Sequence, residues 1–352
     1  MSDTPARRVF DEEDLAAAVA AGVIPAATAE ALGAFVDERR AVAPRADEEE
    51  VRFVTSFNDV FVTIGIGLVV GGIAFVIGDA VSLGWAALAA TVTGWGLSEI
   101  FARRWRMAFP SIVLTAIVVG AAGVTGVSAA EAVGAKAFGG LLGAVTALGV
   151  GWAHWRRFAV PISVAAATAG AGLLVFLLVH MAVPEFAREH SAAVMLPLGL
   201  LAFALAMWWD ASDRARRTRR TDVAFWLHVL AAPAIVHPLV AAAGIRLDDV
   251  GPGQAVVVVA LFAVIAGVAL VIDRRALLVS ALIYLGVSIG VLIERSGWSP
   301  SQGAPVTGAV VGAIVLALAV GWRPLRARAL RFVPASIRAH VPVAASLEGS
   351  HP

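Results

Sequence analysis

The chain has no cysteine among its 352 residues, which excludes a disulfide framework, a thiolate metal site and a cysteine nucleophile, and leaves no redox compartment to be read from thiols. Charge is scarce too: Asp, Glu, Lys and Arg make up 15% of the sequence, against about 25% in ordinary soluble domains. Lysine is nearly missing, since Lys136 is the single lysine among 27 basic residues. A net charge of +1 implies no nucleic-acid partner. Most catalytic signatures are missing as well: the chain has no HExxH zinc helix and no GxxxxGK(S/T) phosphate loop. Gly286-Val-Ser288-Ile-Gly290 comes nearest to a serine nucleophile and has the GxSxG spacing, but it lies inside an apolar block rather than at a strand-to-helix turn, and no histidine can be assigned to it. The expectation is a protein that is not an enzyme and uses no cofactor or metal. The N-terminal stretch MSDTPARRVFDEEDL has no short apolar run before a small-residue cleavage site, so no cleaved signal peptide is expected and the first spanning helix serves as the insertion signal.

What the chain has in excess is apolar surface. Hydrophobic residues reach 59% and the mean hydropathy is +0.84. They fall in ten blocks of about 20 residues, the length that crosses a bilayer as a helix: 60–78, 81–101, 107–127, 137–155, 158–183, 192–209, 223–244, 254–272, 276–293 and 304–322. The fold class expected is all-α, a polytopic membrane bundle of about ten transmembrane helices. The connecting segments alternate in charge. Twenty-three basic residues, all arginine, fall before the first block, in every second connection and after the last block, whereas the other side has only Lys136, Arg188, Arg246 and Arg295. By the positive-inside rule both termini are cytoplasmic. Trp105, Trp155, Trp208, Trp209, Trp226 and Trp322 stand at the arginine-bearing ends, where an aromatic belt is expected.

Residues 1–45 differ from the rest. Asp11, Glu12, Glu13 and Asp14 lead into LAAAVAAG, and PAATAEALGAFVDERR follows. Two short helices fit: the carboxylates suit the positive end of a helix dipole, Gly22 a C-terminal cap, and Pro25 a first helical turn. Leu15, Val19, Ile24, Ala29, Leu32 and Phe35 could form a small buried face between them. The organisation expected is a cytosolic helical hairpin at 1–45, a charged linker leading into the membrane at 46–58, the bundle at 59–322 and an arginine-rich cytosolic tail at 323–352. Arg106-Met-Ala-Phe-Pro110 resembles Arg157-Phe-Ala-Val-Pro161, 51 residues on, which reads either as a duplicated hairpin or as the arginine anchor that each such span needs.

Ionisable groups inside hydrocarbon are costly and deserve a functional reading first. Glu99 precedes Arg103 by one turn, the favoured order for a helical ion pair, and is a minority candidate for a gating or proton-carrying carboxylate. Asp59 suits a helix cap or the headgroup region. The seventh block is the least ordinary: His228, Pro233, His237 and Pro238. Two prolines five apart remove backbone donors and are expected to kink or break the helix, and broken helices at mid-depth build substrate or ion sites in membrane proteins. His237 is then expected to point into the bundle as a proton-relay or transport group. His228 lies half a turn away and faces the opposite side. His154 and His180 are expected at the interfaces. Glycine pairs at 67/71, 139/143, 286/290 and 308/312 allow close helix contact.

The acidic-Leu15 stretch, Ala20-Ala21-Gly22-Val23-Ile24, the alanine-rich second helix, and Arg52-Phe53-Val54 with Phe57-Asn58-Asp59 before the first block resemble a bacterial membrane-protein family called domain of unknown function 2157. The resemblance covers chiefly residues 10–78. It implies a bacterial inner-membrane protein with a cytosolic helical hairpin and brings no activity and no catalytic residues. Two functions are left open: a small-solute transporter or permease working at the seventh block, or a non-catalytic membrane scaffold or sensor. In the second, residues 1–45 bind a cytosolic partner and the arginine clusters bind anionic lipid. The bilayer itself is the partner common to both.

Overall fold

A computed structural model describes residues 12–33, 57–214, 216, 218–245, 250–338 and 341–342. The described residues are helical, with no strand. α1 is Glu12–Ala20 and a second helix, α2, covers 26–33. Between them Gly22 takes a left-handed conformation. The Val23 amide donates to the Ala18 carbonyl and the Gly22 amide to that of Val19, the Schellman pattern that closes a helix with glycine. Pro25 stands just before the first turn of α2, its carbonyl accepting from Thr28 and Ala29. The buried face expected here does not form among the described residues: Leu15, Val19, Ile24 and Ala29 stay half-buried and Leu32 is exposed, while Phe35 lies outside them.

The remaining helices run as α3 (Phe57–Ala80), α4 (Leu83–Ser98), α5 (Ala108–Ala132), α6 (Gly139–Phe158), α7 (Ile162–Ala182), α8 (Pro184–Glu189), α9 (Ser191–Ala211), α10 (Arg219–Ala242), α11 (Pro252–Ile272), α12 (Ala276–Arg295), α13 (Pro300–Arg331) and α14 (Ala335–Arg338). Nine of these among the described residues are long and apolar enough to cross a membrane: α3, α5, α6, α7 and α9 to α13. The block at 81–101 falls on α4, whose 16 residues rise about 24 Å, short of the roughly 30 Å hydrocarbon layer. A π-helical turn, Glu99–Arg104, continues it. α13 runs past the boundary expected at 322 and carries Arg323, Arg326, Arg328 and Arg331 as helical residues.

The outer surface is apolar to a degree no aqueous protein tolerates. Phe61, Leu68, Phe75 and Val76 on α3 and Leu316 and Val320 on α13 are all exposed, so the chain is an integral membrane protein and these side chains face lipid. Sequential helices pack side by side, as short antiparallel connections require, and the interior is built largely from alanine and glycine. The glycines set the spacing. A Cβ on Gly143 would fall 2.9 Å from the Gly123 carbonyl oxygen, one on Gly170 2.8 Å from the Leu148 amide, and one on Gly199 2.5 Å from the Ala234 carbonyl oxygen. Of the spaced pairs read in the sequence, Gly139 and Gly143 sit in such a contact with α5, whereas Gly67, Gly71, Gly286, Gly308 and Gly312 meet nothing within 4 Å.

Among the described residues, those at positive φ in the connections sort by end. Connections at the arginine-bearing end place a non-glycine residue there: Arg106, Ala159, Arg216 and Asp273. At the other end they are glycines, Gly134, Gly244 and Gly297, and the α3–α4 and α7–α8 connections have none. The 51-residue echo does not extend to the backbone, because Arg106 is itself the left-handed residue whereas Arg157 belongs to the last turn of α6.

Candidate functional site

The two prolines of α10 do not break it: the helix runs without interruption from Arg219 to Ala242. Each proline still leaves one carbonyl without its helical donor, Pro238 that of Ala234. That carbonyl lies against Gly199 of α9, where only a hydrogen occupies the Cβ position. Membrane helices keep prolines where a neighbouring helix satisfies the freed group.

His237 is not in the interior as expected. Its side chain is exposed on the outer surface of the bundle, its Nδ1 paired with the Tyr284 hydroxyl of α12. With Pro233, Pro238 and Ser191 it lines an open groove of about 360 Å³ between α9 and α10. The side of α10 that faces the helices is the other one, and His228 lies there fully buried. The half-turn offset between the histidines is therefore as the spacing requires, with the inward one exchanged.

His228 opens onto a layer of buried charge. Its Nε2 is 3.0 Å from Asp210 Oδ2 on the last turn of α9. The same carboxylate takes both edges of the Arg274 guanidinium: Nε donates to Oδ2 at 3.0 Å and Nη2 to Oδ1. All three side chains are at most 1% exposed. Arg274, just before α12, also donates to the Thr221 carbonyl at 3.2 Å. One fork thus ties α9, α10 and α12.

Asp273 builds a second centre beside the first. Arg216 Nη1 donates to Oδ2 at 2.8 Å and Trp322 Nε1 to Oδ1 at 2.7 Å. Arg326 Nε lies 3.8 Å from the same Oδ1, and its Nη2 donates to the Pro342 carbonyl at 2.6 Å. Arg214 Nε donates to the Val341 carbonyl at 3.2 Å, so the chain after α14 returns onto this layer. The guanidinium of Arg275 stacks 5.0 Å from the Trp322 ring. Arg216 and Arg274, read in the sequence as arginines of the connecting segments, and Arg326, read as part of the cytosolic tail, are buried partners of two aspartates. Trp322, expected in an aromatic belt, is 2% exposed.

A third cluster holds α4, α6 and α7 together at the same end. His154 is buried rather than interfacial: Nδ1 is 2.8 Å from Ser163 Oγ and Nε2 3.3 Å from Ser98 Oγ, with Trp95 and Phe158 against the ring. A small hydroxyl on each neighbouring helix leaves room for the imidazole. Glu99 forms the pair with Arg103 that its spacing predicts, at 3.1 Å, and a closer one with Arg157 Nε at 2.7 Å. These groups are well exposed, where solvent and salt screen ion pairs. Glu99→Gln is accordingly expected to move the melting temperature of the purified protein little; a drop as large as that of a core truncation would contradict an interfacial role. Asp59 is buried in the first turn of α3, so it does not face the headgroups.

The sequence reading found His228 and Glu99 but missed Asp210 and Asp273, the residues on which the buried layer centres. Both lie one residue beyond an apolar block and read as loop. A signal was available: each is an acidic residue at a helix C-terminus, where the helix dipole disfavours negative charge unless a cation compensates. Among the described residues no group of three or more His, Cys, Asp or Glu could hold a metal. No family model, curated protein or solved structure matches the chain, and its role is read from this geometry.

Proposed function

We propose that the protein is a non-enzymatic membrane scaffold or sensor of ten spans, with α4 and its π turn as the second span and both termini in the cytoplasm. The observation that carries this reading is where the buried ionisable groups lie. Asp59, His154, Asp210, Asp273, Arg274 and Arg326 are all at the arginine-bearing end, and His228 is tied to that end by Asp210. A carrier concentrates such groups around a cavity at mid-depth; here they lock helix ends into a rigid platform. In this reading α1, α2 and the flanking residues up to 45 bind a cytosolic partner, and exposed arginines such as Arg104 and Arg156 bind anionic lipid. Membership of the family called domain of unknown function 2157, and with it a bacterial inner membrane, rests on the motifs of residues 10–78.

The second reading, a small-solute transporter or permease, keeps one observation in its favour: the exposed His237–Tyr284 pair beside the groove between α9 and α10. Thermal unfolding of the detergent-purified protein against a panel of ions and metabolites separates the two. A ligand at about 100 times its Kd stabilises by about 2.7 kcal/mol. The scaffold reading expects no stabilisation that depends on the candidate transport residues, and a hit abolished in His237→Ala would transfer the assignment to transport. Deleting residues 1–45 is expected to leave membrane integration intact, because the arginine pattern alone sets topology; loss of integration in a fractionation assay would contradict it.

A further inference from the structure

A cavity of about 200 Å³ opens at the arginine-bearing end, between the start of α5, the α6–α7 turn and the first two turns of α10. Three groups give it its character. Arg219, Asp222 and Trp226 lie on one face of α10, and Arg106 faces them from the α4–α5 turn. Arg106 has no hydrogen bond or ion pair with any described residue, and Arg219 reaches only the Ala159 carbonyl, at 3.4 Å. Asp222 is half-buried, yet among the described residues neither of its oxygens has a donor within bonding distance. The dipole of α10 suits a carboxylate in its first turn, and Arg219 and Arg274 act on it electrostatically, but neither donates a hydrogen bond to it. Met107 and Ile112 add an apolar wall on the side of α5 that leads into the membrane. The cavity therefore offers two guanidinium groups and a carboxylate with hydrogen-bonding capacity to spare, and an apolar exit, at the arginine-bearing end.

We propose that this cavity seats the headgroup of an aminophospholipid of the phosphatidylethanolamine type. Arg106 and Arg219 hold the phosphodiester, as guanidinium groups hold phosphate. The primary ammonium donates to Asp222 beside the Trp226 indole, and the acyl chains leave over Met107 and Ile112. The carboxylate selects among lipids. A purely anionic glycerol headgroup gives Asp222 nothing and suffers its repulsion, and a choline headgroup has no N–H to donate. One indole is too little for the aromatic cage that quaternary ammonium groups favour.

The test uses the full-length protein, delipidated and then offered phosphatidylethanolamine, phosphatidylglycerol or phosphatidylcholine of matched chains, with retained lipid counted by native mass spectrometry and melting followed in parallel. Phosphatidylethanolamine should be retained preferentially. The Arg106→Gln/Arg219→Gln double variant should lose at least about tenfold of that affinity, the factor that corresponds to ~1.4 kcal/mol, while Arg295→Gln, at the opposite end of the bundle, should not. Asp222→Asn should bring the ethanolamine-to-glycerol ratio close to one while the protein still binds lipid, so the ratio reads the site even where the double variant folds poorly. Soluble glycerophosphoethanolamine should fail to compete at equal concentration. Equal retention of all three lipids, or full retention in the double variant, would overturn the assignment. Effective competition by the soluble headgroup would overturn the lipid as its source.

Discussion

Asp210→Ala is expected to destabilise the detergent-solubilised protein by about 3–5 kcal/mol, the range for removing one member of a buried ion pair. Asp210 is the acceptor for Arg274 through two bonds and for His228 through one. Its removal leaves a fully buried guanidinium aimed at empty space, and the penalty is that of the uncompensated cation more than of the lost contacts. Asp210→Asn should cost less, since an amide oxygen can still accept from Arg274. The informative comparison is with the double variant Asp210→Leu/Arg274→Met, which removes both charges. Replacing a buried pair by apolar residues is often neutral or better, so it should recover most of the stability lost by Asp210→Ala. Unfolding in a graded SDS or thermal series would measure all of these, and an Asp210→Ala protein that melts with the wild type would show that the layer contributes nothing to stability.

Gly199→Val should have the next largest effect, about 1–3 kcal/mol for a side chain forced into filled space. Even a methyl group on Gly199 would overlap the Ala234 carbonyl, whose oxygen lies 2.5 Å and carbon 2.6 Å from the Cβ position, so α9 and α10 must separate along their whole contact. The cause is specific: Pro238 cannot hold that carbonyl within its own helix. In a Pro238→Ala background the amide at 238 can draw the carbonyl back, and Gly199→Ala should then cost less than in the native chain. Additive costs in that cycle would mean that the close approach has a different origin.

The membrane class was legible because it depends on length and composition. Each of the ten apolar blocks falls on a helix between α3 and α13, and alternating arginines mark ends that the structure brings together through Glu99–Arg157, Asp210–Arg274 and Asp273–Arg216. Gly22 was legible as a cap for a local reason, its backbone freedom. The orientation of α10 about its axis was not. Apolar residues go all the way round this helix, so the spacing of His228 and His237 separates their faces without saying which one meets protein. The pairing of Arg274 and Arg216 was illegible for another reason. An arginine beside a span serves topology whether it ends in headgroups or against an aspartate, and the difference depends on contacts between residues 57 and 64 positions apart.

The fork at Asp210 also bears on how the chain is made. Asp210 and His228 belong to neighbouring helices, but the cation that neutralises the carboxylate arrives only with Arg274, 64 residues later. A nascent chain that has emerged as far as α10 therefore holds a buried anion without its counter-charge, and α9 and α10 cannot settle against each other at full depth until α11 and α12 have followed. Assembly of this half of the bundle is thereby made to wait for synthesis of α12.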